Sequence, residues 1–238
     1  MIHTLPNELL LFLSVIVVFS MSLVWLRLFG EKGLYCWTVV ATILANIEVL
    51  ILIRAFGMEQ TLGNVLFAST FLTTDMLSEI YGKKAAGRAV NIGIAASVTF
   101  IIISQSWLLY TPGDGDWAFE SISTVFANTP RLIFVSLIVY AISQKLDVTL
   151  YHAWWEFTER KSGDKNRFLW LRNNVSTLIS QLVNAVLFNF GAFWGMYDFK
   201  TLVSISVSTF VIYIFTSLLD TPFVYLARAM MRRKRDSE

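Results

Sequence analysis

A chain of 238 residues in which 55% are hydrophobic and only 15% charged cannot cover a water-exposed surface, since soluble domains carry about 25% charge. The net charge of +2 excludes a general attraction to nucleic acid, and the single cysteine, Cys36, excludes an intrachain disulfide framework. Two histidines, His3 and His152, are too few and too far apart for the usual metal-site spacings, so neither a metal nor another cofactor is expected. The expected fold is all-α: a polytopic transmembrane helix bundle forming a single integral membrane domain over residues 1–238. No positive region precedes the first apolar run and no small-residue cleavage site follows it, so it reads as a retained helix and not a signal peptide.

Seven apolar segments follow in order, at approximately 9–27, 33–55, 61–81, 88–110, 130–155, 173–197 and 201–228. Each is long enough to span a hydrocarbon core of roughly 30 Å, and the runs are about twice the length that a barrel strand needs. The first segment is bounded by Glu8 and Arg27. The second contains Glu48, the third ends with Asp75 and Glu79, and the fourth carries no charge. Thr129 can cap the fifth, with Pro130 in its first turn; Lys145 and Asp147 lie within it. The sixth is uncharged and rich in amides, and the last contains Asp220 and Pro222. A six-span arrangement that demotes one segment is the alternative, with the third segment the weakest.

Basic residues set the orientation. Lys83, Lys84 and Arg88 form one basic loop; Arg160, Lys161, Lys165, Arg167 and Arg172 another; Arg228, Arg232, Arg233, Lys234 and Arg235 a basic tail. They alternate with the stretches around Gly57, Thr111–Thr129 and Asp198, and the middle one carries Asp114, Asp116 and Glu120. Seven spans with the N-terminus outside and the C-terminus cytoplasmic satisfy every loop. Trp25, Trp154, Trp155 and Trp170 near segment ends fit an interfacial belt. Ala89, Gly93 and Ser97, and again Gly191 and Gly195, recur at the four-residue spacing of close helix packing.

Polar side chains inside lipid turn toward the bundle interior. Asn46 and Glu48 lie near the middle of the second segment, either as substrate acceptor and proton-coupling group or as groups bonded to a neighbouring helix. Asp75 and Glu79 share a helix face; Glu79 is also placed for an ion pair with Lys83, whereas Asp75 is deeper. Asn174, Thr177, Gln181, Asn184 and Phe188 recur on one face of the sixth segment. Such an amide face suits a neutral, planar, hydrogen-bonding solute, the alternative being amide bonds between helices. Gln144 and Asp147 share a face, with Lys145 pointing elsewhere; Asp147 reads as structural and near the interface. Asp220-Thr221-Pro222 interrupts the last segment, because proline removes a helical hydrogen bond and clashes with the Leu218 carbonyl. Such a break is either a kink or a cavity-lining broken helix.

Three stretches, TDMLSEIYGKKAA at Thr74–Ala86, LRNNVSTLISQLVN at Leu171–Asn184 and LDTPF at Leu219–Phe223, together resemble the queuosine precursor transporter family, also called the putative vitamin uptake transporter family. The resemblance covers nearly the whole chain. One departure is Asn184, near which an acidic residue is expected; asparagine there can hydrogen-bond but not carry a proton. The resemblance implies import of 7-cyano-7-deazaguanine or 7-aminomethyl-7-deazaguanine across a bacterial cytoplasmic membrane. A guanine-like edge offers an N–H and an amino group to one carboxylate, and its carbonyl to an amide. The expected substrate-binding residues are therefore Asn46, Glu48, Asp75, Glu79, Asn174, Gln181 and Asn184, with Asp147, Asp220 and Pro222 in gating or structural roles. Partners are the lipid bilayer and a nucleobase-like solute, with a homo-oligomer left open. An enzyme is not expected: there is no HExxH, no GxSxG and no histidine paired to a nucleophile. The absence of GxxxxGK[ST] means that the alternative, a substrate-binding subunit of an ATPase-driven uptake system for another vitamin-like molecule, needs a separate ATPase chain.

Overall fold

A computed structural model describes residues 5–127, 130–164 and 167–237; the expected cap Thr129, the loop residue Lys165 and His3 lie outside them. The described elements are α1 (Asn7–Glu48), β1 (Leu52–Ala55), β2 (Met58–Thr61), α2 (Asn64–Tyr81), α3 (Lys83–Trp107), α4 (Phe119–Ala127), α5 (Pro130–Ser162), α6 (Leu169–Phe193) and α7 (Phe199–Ser237). The all-helical expectation holds apart from the small hairpin β1–β2. Among the described residues, α1, α3, residues 134–162 of α5, α6 and residues 199–233 of α7 are long and apolar enough to cross a membrane.

α1 is two rods, because Gly30 stands at φ 62 and ψ −138, a conformation that only glycine adopts without strain. The arms, residues 7–29 and 31–48, fold back on each other. Trp25 and Trp37 pack ring to ring at 6.5 Å, although twelve helical residues would separate them by roughly 18 Å along a straight rod. At the other end, Glu8 accepts a 2.8 Å hydrogen bond from the Phe56 N–H and Asn7 Nδ2 donates to the Arg54 carbonyl. The start of the first arm is thus tied to the hairpin that follows the second. Phe56 and Gly57, both at positive φ, form the two-residue hairpin turn.

Several element limits differ from the sequence expectation. The second segment leaves the helix at Glu48, and Ile51–Ile53 enter the hairpin region instead, so Asn46 and Glu48 sit at the end of the second arm and not near its middle. The acidic stretch before α5, expected to be loop throughout, contains a short helix, α4. Phe126 of α4 packs against Phe100 and Trp107 of α3. Gly195 falls beyond α6 at φ 83, so only Gly191 is a packing glycine there, where it receives Val135. α7 is one continuous helix from Phe199 to Ser237 with Pro222 inside it, so of the two readings of the Asp220-Thr221-Pro222 stretch the broken helix does not hold. Arg131 of α5 donates to the carbonyls of Gly191 and Trp194, satisfying backbone groups that a helix end leaves open. Asp198 caps α7: it accepts from the Thr201 hydroxyl at 2.5 Å and from the Lys200 and Thr201 N–H groups. These bonds, the hydroxyl's above all, hold the Asp198 carboxyl below the usual carboxylate range.

α2 occupies the centre. Of its 18 residues, 14 are buried, from Asn64 to Ser78, and α1, α3, α5, α6 and α7 all pack against neighbours in the same core. The main apolar core joins Phe19 and Leu34 of α1, Leu72, Met76 and Leu77 of α2, Ala86 and Ala89 of α3, Leu169 of α6, and Val224 and Ala227 of α7. On α3, Ala89, Gly93 and Ser97 are all buried, and Gly93 lies directly under Tyr140 of α5, as the small-residue spacing predicts.

Gly30→Ala forces a side chain into a backbone region costing about 1–3 kcal/mol. The expected result is a lower thermal midpoint in detergent with the membrane-inserted level reduced; an unchanged midpoint would contradict the fold-back at Gly30.

Candidate solute site in a buried polar column

The polar residues of α2 first satisfy themselves. The hydroxyls of Ser69, Thr70, Thr73 and Thr74 donate to carbonyls three or four residues back, the usual way in which Ser and Thr survive mid-helix. Their remaining capacity faces α5. Gln144 Nε2 donates to Thr70 Oγ1 at 2.7 Å, and Thr74 Oγ1 donates to Gln144 Oε1 at 3.2 Å, so one amide clamps two threonines.

One turn further, three aspartates from three helices are buried in the interior. Asp75 of α2 and Asp147 of α5 are 0% exposed, and Asp220 of α7 is 2% exposed. Each takes one good donor: Thr177 Oγ1 to Asp75 Oδ2 at 3.1 Å, Ser180 Oγ to Asp147 Oδ1 at 2.9 Å, and Asn173 Nδ2 to Asp220 Oδ1 at 2.7 Å. Asp147 is thus buried beside Asp75, correcting the interfacial position read for it, while its neighbour Lys145 is exposed as expected. Asp75 Oδ1 and Asp147 Oδ2 have no hydrogen-bond partner, nor do Ser143 Oγ, Asn173 Oδ1 and both amide atoms of Gln181, which is 1% exposed. Buried polar atoms are normally satisfied. Several of these orphans, on α5 and α6, flank the Asp75 and Asp147 carboxyls and leave hydrogen-bonding capacity unused there.

Toward the start of α2 the column widens into a cleft lined by Asn64, Phe67, Val139, Asn184, Phe188 and Tyr213. Tyr213 OH lies 3.3 Å from Asn64 Oδ1 and 3.2 Å from Asn184 Oδ1. Phe67 stands edge-on to Tyr140 at 6.0 Å and tilted against Tyr213 at 6.3 Å. Asn46 lines an adjoining space with Phe67, Thr70, Ser97 and Tyr140 and reaches Ser97 Oγ at 3.4 Å. The cleft holds about 40 Å³, room for a few waters; a bicyclic base needs the walls to part.

At the opposite end, Glu79 is the hub of an ion cluster. Arg172 Nη2 meets Glu79 Oε2 at 2.5 Å and Arg228 Nη1 meets Glu79 Oε1 at 3.1 Å. Tyr151 OH donates to Glu79 Oε2 at 3.0 Å, and the Arg172 guanidinium lies 4.2 Å from the Trp155 ring centre. The buried Arg172 and half-buried Arg228, which the sequence reading counted as loop and tail charges, are therefore built into the bundle, and Trp155 covers one of them. The ion-pair alternative for Glu79 named Lys83; the carboxylate is bonded instead to Arg172, Arg228 and Tyr151.

The structure thus brings Asp75, Gln181 and Asn184 into one column, with Asn46 beside it. Glu79 is engaged by the ion cluster. Asn174 is turned to α7, donating to Thr221 Oγ1 at 2.7 Å. Glu48 lines a different groove, between the two arms of α1, with Leu10, Leu13 and Leu44. Asn64, Phe67, Tyr140 and Tyr213 line the column although none of them is among the expected substrate-binding residues. Asn64 stands eleven residues before Asp75 and Tyr213 seven before Asp220, and both intervals return to nearly the same helix face.

Removing the shared carboxylate by Glu79→Gln is expected to cost roughly 3–5 kcal/mol, read as loss of thermal stability in detergent. Adding Arg172→Gln should recover part of the loss, since the two groups act as a unit; strictly additive losses would contradict the ion cluster.

With this geometry in place, comparison with known proteins is specific. The family model described as putative vitamin uptake transporter matches residues 61–227, which contain the column from Asn64 to Asp220. The chain is 36% identical over 216 residues, 91% of its own length and 92% of the relative's, to the "Probable queuosine precursor transporter" of Bacillus subtilis (strain 168). It is 27% identical over 157 residues, 65% of its length and 64% of the relative's, to the "Queuosine precursor transporter" of Escherichia coli (strain K12). No solved structure matches. A helical membrane protein with a polar interior, matched over most of its length by these relatives, belongs to the putative vitamin uptake transporter family.

Proposed function

We propose that the chain is a membrane transporter that imports queuosine precursors, 7-cyano-7-deazaguanine or 7-aminomethyl-7-deazaguanine, for salvage into tRNA queuosine. It acts without catalysis, in the bacterial cytoplasmic membrane. The names of both relatives support the substrate class. The observation that carries the site is the unpartnered Gln181 amide beside the open oxygen of Asp75. In this reading Asp75 accepts the ring N–H and exocyclic amine of the deazaguanine, and Gln181 donates to its carbonyl. Asn184, Asn64 and Asn46 complete the polar wall. Phe67 and Tyr213 supply ring faces, because a flat base gains by stacking as well as by hydrogen bonding.

The proposed arrangement has seven crossings: the two arms of α1, then α2, α3, α5, α6 and α7. α2 counts as a crossing although its own surface is too polar for lipid, because the other helices surround it. The N-terminus and the hairpin face outside. The Glu79 ion cluster lies at the cytoplasmic end, with Lys83, Lys84 and the basic tail beside it. The amide cleft then opens toward the outside and the ion cluster closes the path below the aspartates, an outward-leaning state of an alternating-access cycle.

The test is queuosine content of tRNA in cells unable to make the deazaguanine, fed a low external concentration of precursor. Modification should depend on this protein. Gln181→Leu, which replaces the amide with an apolar group of similar volume, should lower uptake at least about tenfold, matching a loss of about 1–3 kcal/mol of hydrogen bonding. Equal modification with and without the protein, when it reaches the membrane, would overturn the proposal.

A further inference from the structure

We propose that Asp75 and Asp147 form a proton-carrying pair that couples solute entry to proton entry; this rests on the reading of the chain as an uptake transporter. The two carboxyl groups come from different helices and are fully buried, and Thr177 and Ser180, one turn apart on α6, each hold one of them, which brings the two side by side. Each has one oxygen held by a hydroxyl and one without a hydrogen-bond partner. Two carboxylates in contact in a low-dielectric interior repel each other. One proton on the open oxygen of Asp147 forms an O–H bond, removes the repulsion and supplies a hydrogen bond to Asp75, which stays ionised as the acceptor for the solute. Two further observations mark the pair as a site with an occupant. Ser143 Oγ, buried one turn before Asp147 on the same face, has no partner, and Gln181, next to Ser180 and one turn beyond Thr177, has none for either amide atom. The donors that already fix Asp75 and Asp147 are thus flanked by unsatisfied groups.

The charges around the pair leave it acidic. On α2, Glu79 is one turn away and bonded to Arg172 of α6 and Arg228 of α7. α5 adds Tyr151, bonded to Glu79, and the half-buried His152. α7 adds Asp220, which is held by Asn173 of α6. α1 brings Glu31, paired with Tyr35, and Glu48 in its separate groove. The α3 cations Lys83, Lys84 and Arg88 lie beyond Gly82, about two turns or more past Asp75. No guanidinium or ammonium is hydrogen-bonded to Asp75, Asp147 or Asp220 among the described residues, and no group of three acidic, histidine or cysteine side chains there could hold a metal ion. A proton needs only the two open oxygens of the pair.

In the cycle that follows, the pair takes up a proton from the outside with the solute, the singly protonated pair and its cargo turn inward together, and the proton leaves to the cytoplasm after the solute. No bond other than carboxyl O–H forms or breaks.

The test uses the full-length protein in sealed liposomes with radiolabelled 7-cyano-7-deazaguanine as the probe. Two quantities are read: counterflow of the probe at equal pH, and accumulation under an inward proton gradient with and without a protonophore. With one proton per solute, a gradient of about one pH unit drives about tenfold accumulation, abolished by the protonophore. Asp147→Asn should bring the ratio of gradient-driven accumulation to counterflow down to that of a pH-insensitive carrier, and Asp147→Glu should restore part of it. Counterflow with no response to the proton gradient overturns the pair while leaving the uptake reading intact, and so does accumulation driven by a sodium gradient alone. A gradient response preserved in Asp147→Asn also overturns it. Absence of any counterflow in wild type removes the uptake reading and the inference with it.

Discussion

Helix α2 has no face to offer to lipid. Threonine, serine, asparagine and aspartate are distributed around it, and 14 of its 18 residues are buried, so the remaining helices must enclose it. In hydrocarbon every polar side chain left outward would cost free energy with no water to recover it. That constraint explains the layout. α1 must double back at Gly30 to cover one side, α3 and α5 close another with Gly93 seated under Tyr140, and α6 and α7 bring their own polar faces inward to meet it. The same crowding that hides α2 makes the interior a polar column.

Within that column the tiers are chemically distinct. Glu79, Arg172, Arg228 and Tyr151 neutralise and satisfy one another, as buried ion groups require. Breaking such a cluster is costly and re-forming it restores the cost, which suits a closure that opens only in part of a cycle. The aspartate tier is the opposite: acidic, short of donors and flanked by the idle Gln181 amide. The amide–aromatic cleft beyond it has both hydrogen-bonding groups and ring faces but little space. In the proposed reading, binding there comes with movement of Tyr213 or Phe67, which links the affinity of the site to the opening of the bundle through the same side chains.

Much of this was legible in the residues. The amide periodicity from Asn174 to Phe188 marked the inward face of α6, and Thr177, Gln181 and Asn184 do point inside; Asn174 follows the same spacing but lies at the helix's first turns, where α7 is the nearer neighbour. Asp75 was legible as deep because its flanks are uncharged. Asp147 was not, because Lys145 two residues away suggests an interface, and only the packing of α5 shows that the two side chains leave the helix on different sides. Arg172 and Arg228 were read as loop charges for the same reason: their partner Glu79 is 93 residues from one of them, a separation invisible to local spacing. The hairpin at Leu52–Thr61 was hidden by the apolar run Val49–Ile53, which reads as helix until Gly57 supplies the turn. Spacing alone could not separate a kink from a break at Pro222; α7 continues through it, as neighbouring helices routinely allow in membranes.

The central claim is that the buried column, and not the membrane surface or another chain, recognises a guanine-like base. It is tested most directly by equilibrium binding of labelled 7-cyano-7-deazaguanine to the purified protein in detergent, with unlabelled guanine and adenine as competitors. The account predicts saturable binding, competition by guanine, which presents the same N–H and amino edge, and none by adenine, which does not. It also predicts that Asp75→Asn weakens binding by at least about tenfold, through loss of a bidentate charged acceptor. Binding unaffected by Asp75→Asn, or equal competition by adenine, would contradict it.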